Sequence, residues 1–322
     1  HFHGGAVDNS MWHAVQAFFE NGGLRAYVAP VDHPRPDDAA SLHAWRSALK
    51  VLEAIDEISI VAAPGSSRSA ATALPVAREL ISHAEAMRYR IAILDPMPKQ
   101  SVSEMQAMRG AIDSSHAALY YPWITIFDPV TQREISVPPS GAVAGIYART
   151  DASRGVHKAP ANEEVRGAVG LDPLIGDAQQ EILDRIGVNC LRFLPGHGYR
   201  VWGARTTSSD PEWKYVNVRR YVAYLERSIE RGTQWAVFEP NDEVLWKRIA
   251  NAIADFLVTE WRRGGLLGDK PETAFFVRCD RSTMTQQDLD AGRLVVMIGV
   301  APVRPAEFVI VRIGHWTADR KP

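Results

Sequence analysis

Two cysteines, Cys190 and Cys279, are all that the 322 residues hold. Two cannot build a disulfide framework, and their spacing matches no metal motif. Both read as small buried hydrophobes in a reducing compartment. Long apolar runs are missing as well. The longest, residues 294–301, has eight residues, against the roughly 20 that a bilayer-spanning helix needs, so no membrane insertion is expected. A dominant charge is also absent. The formal net charge of -2 lacks the basic excess of a general nucleic-acid binder. With 46% hydrophobic and 23% charged residues, the composition is that of a globular chain, not a disordered one.

Catalytic fingerprints are equally scarce. Neither Gly-x-x-x-x-Gly-Lys-Ser/Thr nor Gly-x-Gly-x-x-Gly occurs, and no Gly-x-Ser-x-Gly elbow or His-Glu-x-x-His pair is present. What remains is isolated. Residues 63–69, with Ser66 and Arg68, join a strand end to a helix start, where free amides could hold a phosphate or simply cap the helix. Asp95 stands at the carboxyl end of a strand, where open α/β sheets place their sites, and it also precedes Pro96, an ordinary strand stop. His197 sits between Gly196 and Gly198 in a turn. His1 and His3 could share a metal, but no further ligand motif backs them. The nine tryptophans are spread along the chain and read as core or interface anchors. The expectation is therefore no catalytic, cofactor or metal residue. The alternative is an α/β hydrolase-like or phosphate-ester enzyme using Asp95, Ser66 or His197, and a third possibility is a monomeric binding module.

Periodicity is informative. Asp8, Asn9 or Ser10 can cap a helix bearing Met11, Val15, Phe18 and Phe19, which Asn21-Gly22-Gly23 ends. Strands are expected at 24–31, 58–63, 90–95 and 117–127. Helices are expected after Asp37 and Asp38, from about 69 to 89 with an irregularity at Pro75, and at 102–112. Strands separated by helices favour a mostly parallel sheet flanked by helices, an α/β class. Residues 206–211 are a polar breaker cluster. They divide the chain into an expected core domain, 1–205, and a C-terminal α+β domain, 206–322. The second domain opens with two amphipathic helices. On the first, Val218, Tyr221, Val222, Leu225 and Ile229 face one way, and Arg219, Arg220, Glu226, Arg227, Glu230 and Arg231 occupy the rest, a charged outer face expected to be solvated or to meet neighbouring subunits. The second carries Leu245, Ile249, Ile253, Phe256 and Leu257. Strands are expected at 274–278, 294–300 and 307–313.

Several ordered motifs point further. Residues 138–151 (Pro-Pro-Ser-Gly-Ala-Val-Ala-Gly-Ile-Tyr-Ala-Arg-Thr-Asp) and 155–162 (Gly-Val-His-Lys-Ala-Pro-Ala-Asn) resemble the central signature of contractile tail sheath proteins. So do residues 187–193, 202–206, 215–220, 238–242, 264–268 and 305–309, and upstream Phe18-Phe19-Glu20-Asn21-Gly22-Gly23 with Arg25-Ala26-Tyr27-Val28. The resemblance implies a structural subunit that polymerises as stacked hexameric rings around an inner tube and contracts to drive it through an envelope. Implied partners are neighbouring copies, the inner tube protein, and baseplate and tail terminator proteins. The implied location is a virion or phage-tail-like particle assembled in the bacterial cytoplasm. It also implies an N-terminal arm, most of it expected to be missing because only 20 residues precede Asn21. The C-terminal segment Glu307-Phe308-Val309-Ile310-Val311-Arg312-Ile313 carries apolar residues on both faces. A strand of that kind suits addition to a neighbour's sheet and is the expected assembly strand; taken alone, it also reads as an ordinary internal strand.

Overall fold

The computed structural model of the chain describes residues 9–31 and 39–307. Helix α1 (Ser10–Glu20) starts at Asn9, whose side chain accepts from the Trp12 amide at 3.0 Å. Then α2 (Ala39–Glu53), β1 (Ile60–Ala62), α3 (Ala70–Ala86), β2 (Ile91–Leu94), α4 (Val102–Gly110) and β3 (Ala117–Tyr121) alternate as expected. Ser69 caps α3 and Pro75 lies within it, while Ser101 and Glu104 close a reciprocal cap on α4. The strand expected at 117–127 is two strands. Pro122 ends β3, and β4 (Trp123–Asp128) turns into a separate antiparallel sheet with β5 (Arg133–Val137) and the later β7 (Ala168–Asp172). Between these lie α5 (Ser140–Arg154) and the two-residue β6 (Glu163–Glu164), and after them α6 (Asp177–Arg185), β8 (Val188–Leu194) and β9 (Gly198–Trp202).

The central sheet has six strands in the order β1-β2-β3-β8-β9-β6. The first four run parallel and the last two antiparallel. The inner strands β2 and β3 are buried on both faces, so they read as continuous apolar runs rather than alternating ones. Ala92, Leu94 and Leu119 pack with Val76 and Leu80 of α3 and Met105 of α4. The opposite face, with Ile91, Ile93, Ala118 and Tyr120, packs on Val143, Ile146 and Tyr147 of α5. The fold is α/β, with the mostly parallel sheet flanked by helices.

Helix α1 lies tightly on α5. A Cβ on Gly141 would stand 2.4 Å from the Ala14 carbonyl oxygen, and one on Gly145 2.3 Å from that of Phe18. Only glycine allows this approach, which gives the Gly141-x-x-x-Gly145 spacing its structural meaning.

After residue 206 the chain forms α7 (Val216–Gly232), α8 (Glu243–Arg262), α9 (Pro271–Ala274), β10 (Phe275–Arg278), α10 (Gln286–Asp290) and β11 (Met297–Val300). Tyr221 and Leu225 of α7 meet Leu245, Trp246, Ile249, Ile253 and Leu257 of α8 in a third core. Two expectations are corrected here. Residues 24–31 form no strand: Arg25 and Tyr27 both bond Glu57, and the segment stands off β1 across an apolar groove of about 550 Å³. Arg219 and Arg220 do not lie on a solvated face but are buried, because the start of α7 is covered by the central body.

Candidate assembly surfaces

The last described stretch, residues 301–307, crosses from β11 back to the central body. Val303 donates its amide to the Gly265 carbonyl at 3.2 Å, and its own carbonyl accepts from Asn217 Nδ2 at 3.2 Å. The stretch ends in a clasp. Glu307 accepts from Arg205 Nε at 2.6 Å and Nη2 at 2.8 Å, a bidentate pair, and from Lys214 Nζ at 2.9 Å. Arg205 is itself paired with Asp184 at 2.9 Å. Partial burial would raise the Glu307 carboxyl, but the hydrogen bonds and charges of Arg205 and Lys214 outweigh it and hold the group down at about 2. Arg205 is positioned in turn by Asn189 on β8, whose side chain accepts from the Arg205 amide at 2.7 Å and donates to its carbonyl at 2.7 Å. The first residue of the expected assembly strand is thus fixed to the body. Phe308, Val309, Ile310, Val311, Arg312 and Ile313 lie outside the described residues, as do His1 and His3.

A second surface is the β10–β11 pair. Phe275, Val277, Ile298 and Val300 turn inward against α8 and the third core, whereas Phe276 and Met297 are about half exposed. The Phe276 ring lies over Gly299, where a Cβ would stand 2.1 Å from it. Among the described residues no third strand joins this sheet. Without the packing of α8 against its inner face, a two-stranded ribbon would be marginal in water, and the outer edges of a sheet are the usual place for a further strand to pair.

Between the two surfaces, a polar joint holds the C-terminal elements to the body. Arg220 makes a bidentate pair with Asp151 of α5, at 2.9 and 2.5 Å, and its guanidinium lies 4.8 Å from the Tyr147 ring. Glu260 of α8 is buried and takes Tyr221, Tyr224 and Arg263.

The enzyme candidates do not converge. Asp95 is buried and caps α5, accepting from the Ser140 amide at 2.8 Å and hydroxyl at 2.6 Å. Burial pushes its carboxyl up to about 7 despite those two bonds. Among the described residues neither Ser66 nor His197 bonds to it. Ser66 opens a short helical turn, with its carbonyl taken by Thr72, and His197 sits in the β8–β9 turn. Cys190 and Cys279 are free and buried. No group of three or more His, Cys, Asp or Glu among the described residues could hold a metal, and none of the helices there is long and apolar enough to cross a membrane.

The model of the phage tail sheath protein central domain matches residues 44–207, and that of the phage tail sheath C-terminal domain matches residues 208–314. The chain belongs to the phage tail sheath family. It is 28% identical over 252 residues to a Pseudomonas aeruginosa prophage protein named as a major tail sheath protein, covering 77% of this chain and 62% of that one. It is 26% identical over 220 residues to the tail sheath protein of Escherichia phage P2, covering 66% and 53%. The chain thus spans somewhat over half the length of these relatives. Among solved structures it superposes on a chain of the anti-feeding prophage baseplate with a TM-score of 0.84 at 31% identity, covering 98% of this chain and 84% of that chain. It also superposes on a chain of the PVC sheath complex in the contracted state, an extracellular contractile injection system, with a TM-score of 0.81 at 32% identity, covering 97% and 82%.

Sequence reasoning placed Glu307 at the head of the assembly strand but did not find its partners. Arg205 stands in the motif Trp202-Gly203-Ala204-Arg205-Thr206 that carried the resemblance, and Asp151 and Arg220 end two others. A charged residue inside an otherwise apolar and small-residue motif was the available signal.

Proposed function

We propose that this chain is a structural subunit of a contractile sheath, polymerising as a helical stack of hexameric rings around an inner tube. The observation that carries the reading is the β10–β11 ribbon, an unfinished sheet on a chain whose C-terminal segment leaves from a fixed root at Glu307. Segment 308–313 of a neighbouring copy completes that sheet. Main-chain hydrogen bonds of an added strand hold copies together while the bodies move as rigid units.

Residues 1–205 serve as the core domain and 206–322 as the C-terminal assembly domain, a division that suits the separate third core. The subunit works without catalysis. Its partners are other copies, the inner tube protein, and baseplate and terminator proteins, in a virion or tail-like particle assembled in the host cytoplasm. Contraction releases an extended lattice held by a kinetic barrier. A gain of about 1–3 kcal/mol per interface, the scale of ordinary coupling energies, sums over many rings into a thrust on the tube.

Negative-stain electron microscopy of the purified chain with the inner tube protein as template tests this. Ribbed hollow cylinders are the expected outcome. Discrete small particles at every concentration would overturn the reading and favour a monomeric binding module.

A further inference from the structure

A cleft of about 240 Å³ lies where α7 meets the start of β2. Five arginines line it: Arg90, Arg219, Arg220, Arg227 and Arg231. The acids in its wall are already engaged, Asp151 by Arg220 and Glu57 by Arg25 and Tyr27. Nearby Glu230 accepts from the Tyr89 hydroxyl at 2.8 Å. Arg90 and Arg219 are buried without a carboxylate at hydrogen-bond distance. Arg90 is met by His83 and by the Leu52 and Ile55 carbonyls. Arg219 lies 4.4 Å from the Trp213 ring and 3.7 Å from Glu226, and its Nε has no hydrogen-bond partner. Arg231 is exposed and pairs with nothing among the described residues. Cations gathered this way and left incompletely neutralised favour an incoming anion.

The complementary feature stands on the same chain. Residues 237–243, between α7 and α8, read Val-Phe-Glu-Pro-Asn-Asp-Glu. Phe238 is 103% exposed with φ at +70°, a left-handed backbone that a phenylalanine adopts only when its surroundings impose it. They do so here. The Glu239 amide donates to the Ala236 carbonyl at 3.2 Å, Asn241 donates to the Arg293 carbonyl at 3.2 Å, and Asn241 also accepts from Trp246 Nε1 at 2.7 Å. An aromatic ring held fully in water, beside exposed Glu239 and Glu243, is a pre-organised knob.

We infer that the Phe238–Glu239 knob of a second copy of this chain docks in the arginine cleft, with Phe238 against Tyr89 and Tyr224 and Glu239 on Arg227 and Arg231. The inference rests on the sheath reading for its second copy. A patch that fits a different patch on the next copy makes a heterologous contact, which propagates into a ring or a helix.

The test is fluorescence anisotropy of a labelled synthetic peptide, residues 234–244, titrated with the full chain. Saturable binding that weakens with salt is expected. A Glu239→Arg peptide should lose about tenfold or more in affinity, and so should the native peptide against an Arg231→Glu chain. The reversed peptide on the reversed chain should recover to within about threefold of the native pair. Because Arg231 is exposed and pairs with nothing among the described residues, the variant should melt with the wild type. Absence of binding at millimolar chain, binding indifferent to both reversals, or binding unchanged by added salt would each overturn the inference. Peptide binding by a chain that forms no cylinders would retire the sheath reading and leave this contact standing. Cylinders without peptide binding would do the reverse.

Discussion

Strands β2 and β10 are both four residues long, yet they live differently. In β2, Ile91-Ala92-Ile93-Leu94, every residue is buried, with β1 and β3 on either side. In β10, Phe275-Phe276-Val277-Arg278, half-buried and exposed residues alternate, and among the described residues β11 is its one neighbour. The first strand belongs to a sheet the chain completes for itself. The second belongs to a two-stranded ribbon that, on the proposed reading, a strand from a neighbouring copy extends. If that reading holds, the body carries the fold and the C-terminal ribbon carries the contact. Substitutions in the two places should separate stability from assembly.

The largest effect is expected in the body. Ile93→Ala removes buried methyl groups from between the sheet and α5 and should cost about 4 kcal/mol, read by urea denaturation. Phe276→Ala, on the outer face of the ribbon, should change stability by no more than about 0.5 kcal/mol while reducing cylinder formation. Comparable stability losses at the two sites would erase the distinction.

Asp151→Ala attacks the joint between the two regions. It leaves Arg220 buried without its carboxylate, and breaking such a pair costs about 3 kcal/mol. If the joint couples them, denaturation should broaden or split as the C-terminal elements melt ahead of the sheet. A single transition at unchanged midpoint would show that Asp151 is dispensable.

Much of this division was legible in the sequence. Periodicity placed α3, α4, α7, α8 and most of the parallel strands, because buried strands and amphipathic helices each impose a repeat that one chain displays. Three things were not legible. Pro122 splits the expected strand at 117–127, and nothing local says that β4 departs into another sheet. Residues 24–31 look like a strand, but among the described residues they pair with none; Arg25 and Tyr27 instead bond Glu57, a contact that no local pattern displays. Arg219 and Arg220 look solvent-facing because helical periodicity registers charge, whereas their burial depends on Asp151, 69 positions before Arg220, and on Trp213. The clasp was half visible: Glu307 was named, but its partner Arg205 lies 102 positions away.

Removal of residues 308–322 is the third test. If segment 308–313 serves assembly rather than folding, the truncated chain should fold and melt within about 0.5 kcal/mol of the full one, yet remain monomeric by sedimentation. Cylinders formed by the truncated chain would refute strand exchange and move attention to the arginine cleft.

The smallest expected effect sharpens the comparison at the clasp. Glu307 has its carboxyl lowered from an ordinary 4.5 to about 2 by Arg205 and Lys214, against the opposing pull of burial. A depressed carboxylate binds fewer protons folded than unfolded, so its contribution is fully present above about pH 4.5 and is lost as pH falls toward 2. Glu307→Gln keeps the shape and removes the charge. The stability difference between wild type and variant should be constant from pH 7 to 5, no larger than about 1 kcal/mol for a partly solvated pair, and should shrink toward zero between pH 4.5 and 2. Added salt should narrow it modestly. A difference that grows as the solution is acidified would mean that another group holds the root. If segment 308–313 adds to a neighbour's sheet as proposed, assembly should respond more than folding does, because a loosened root at Glu307 raises the ordering entropy that each added strand must overcome.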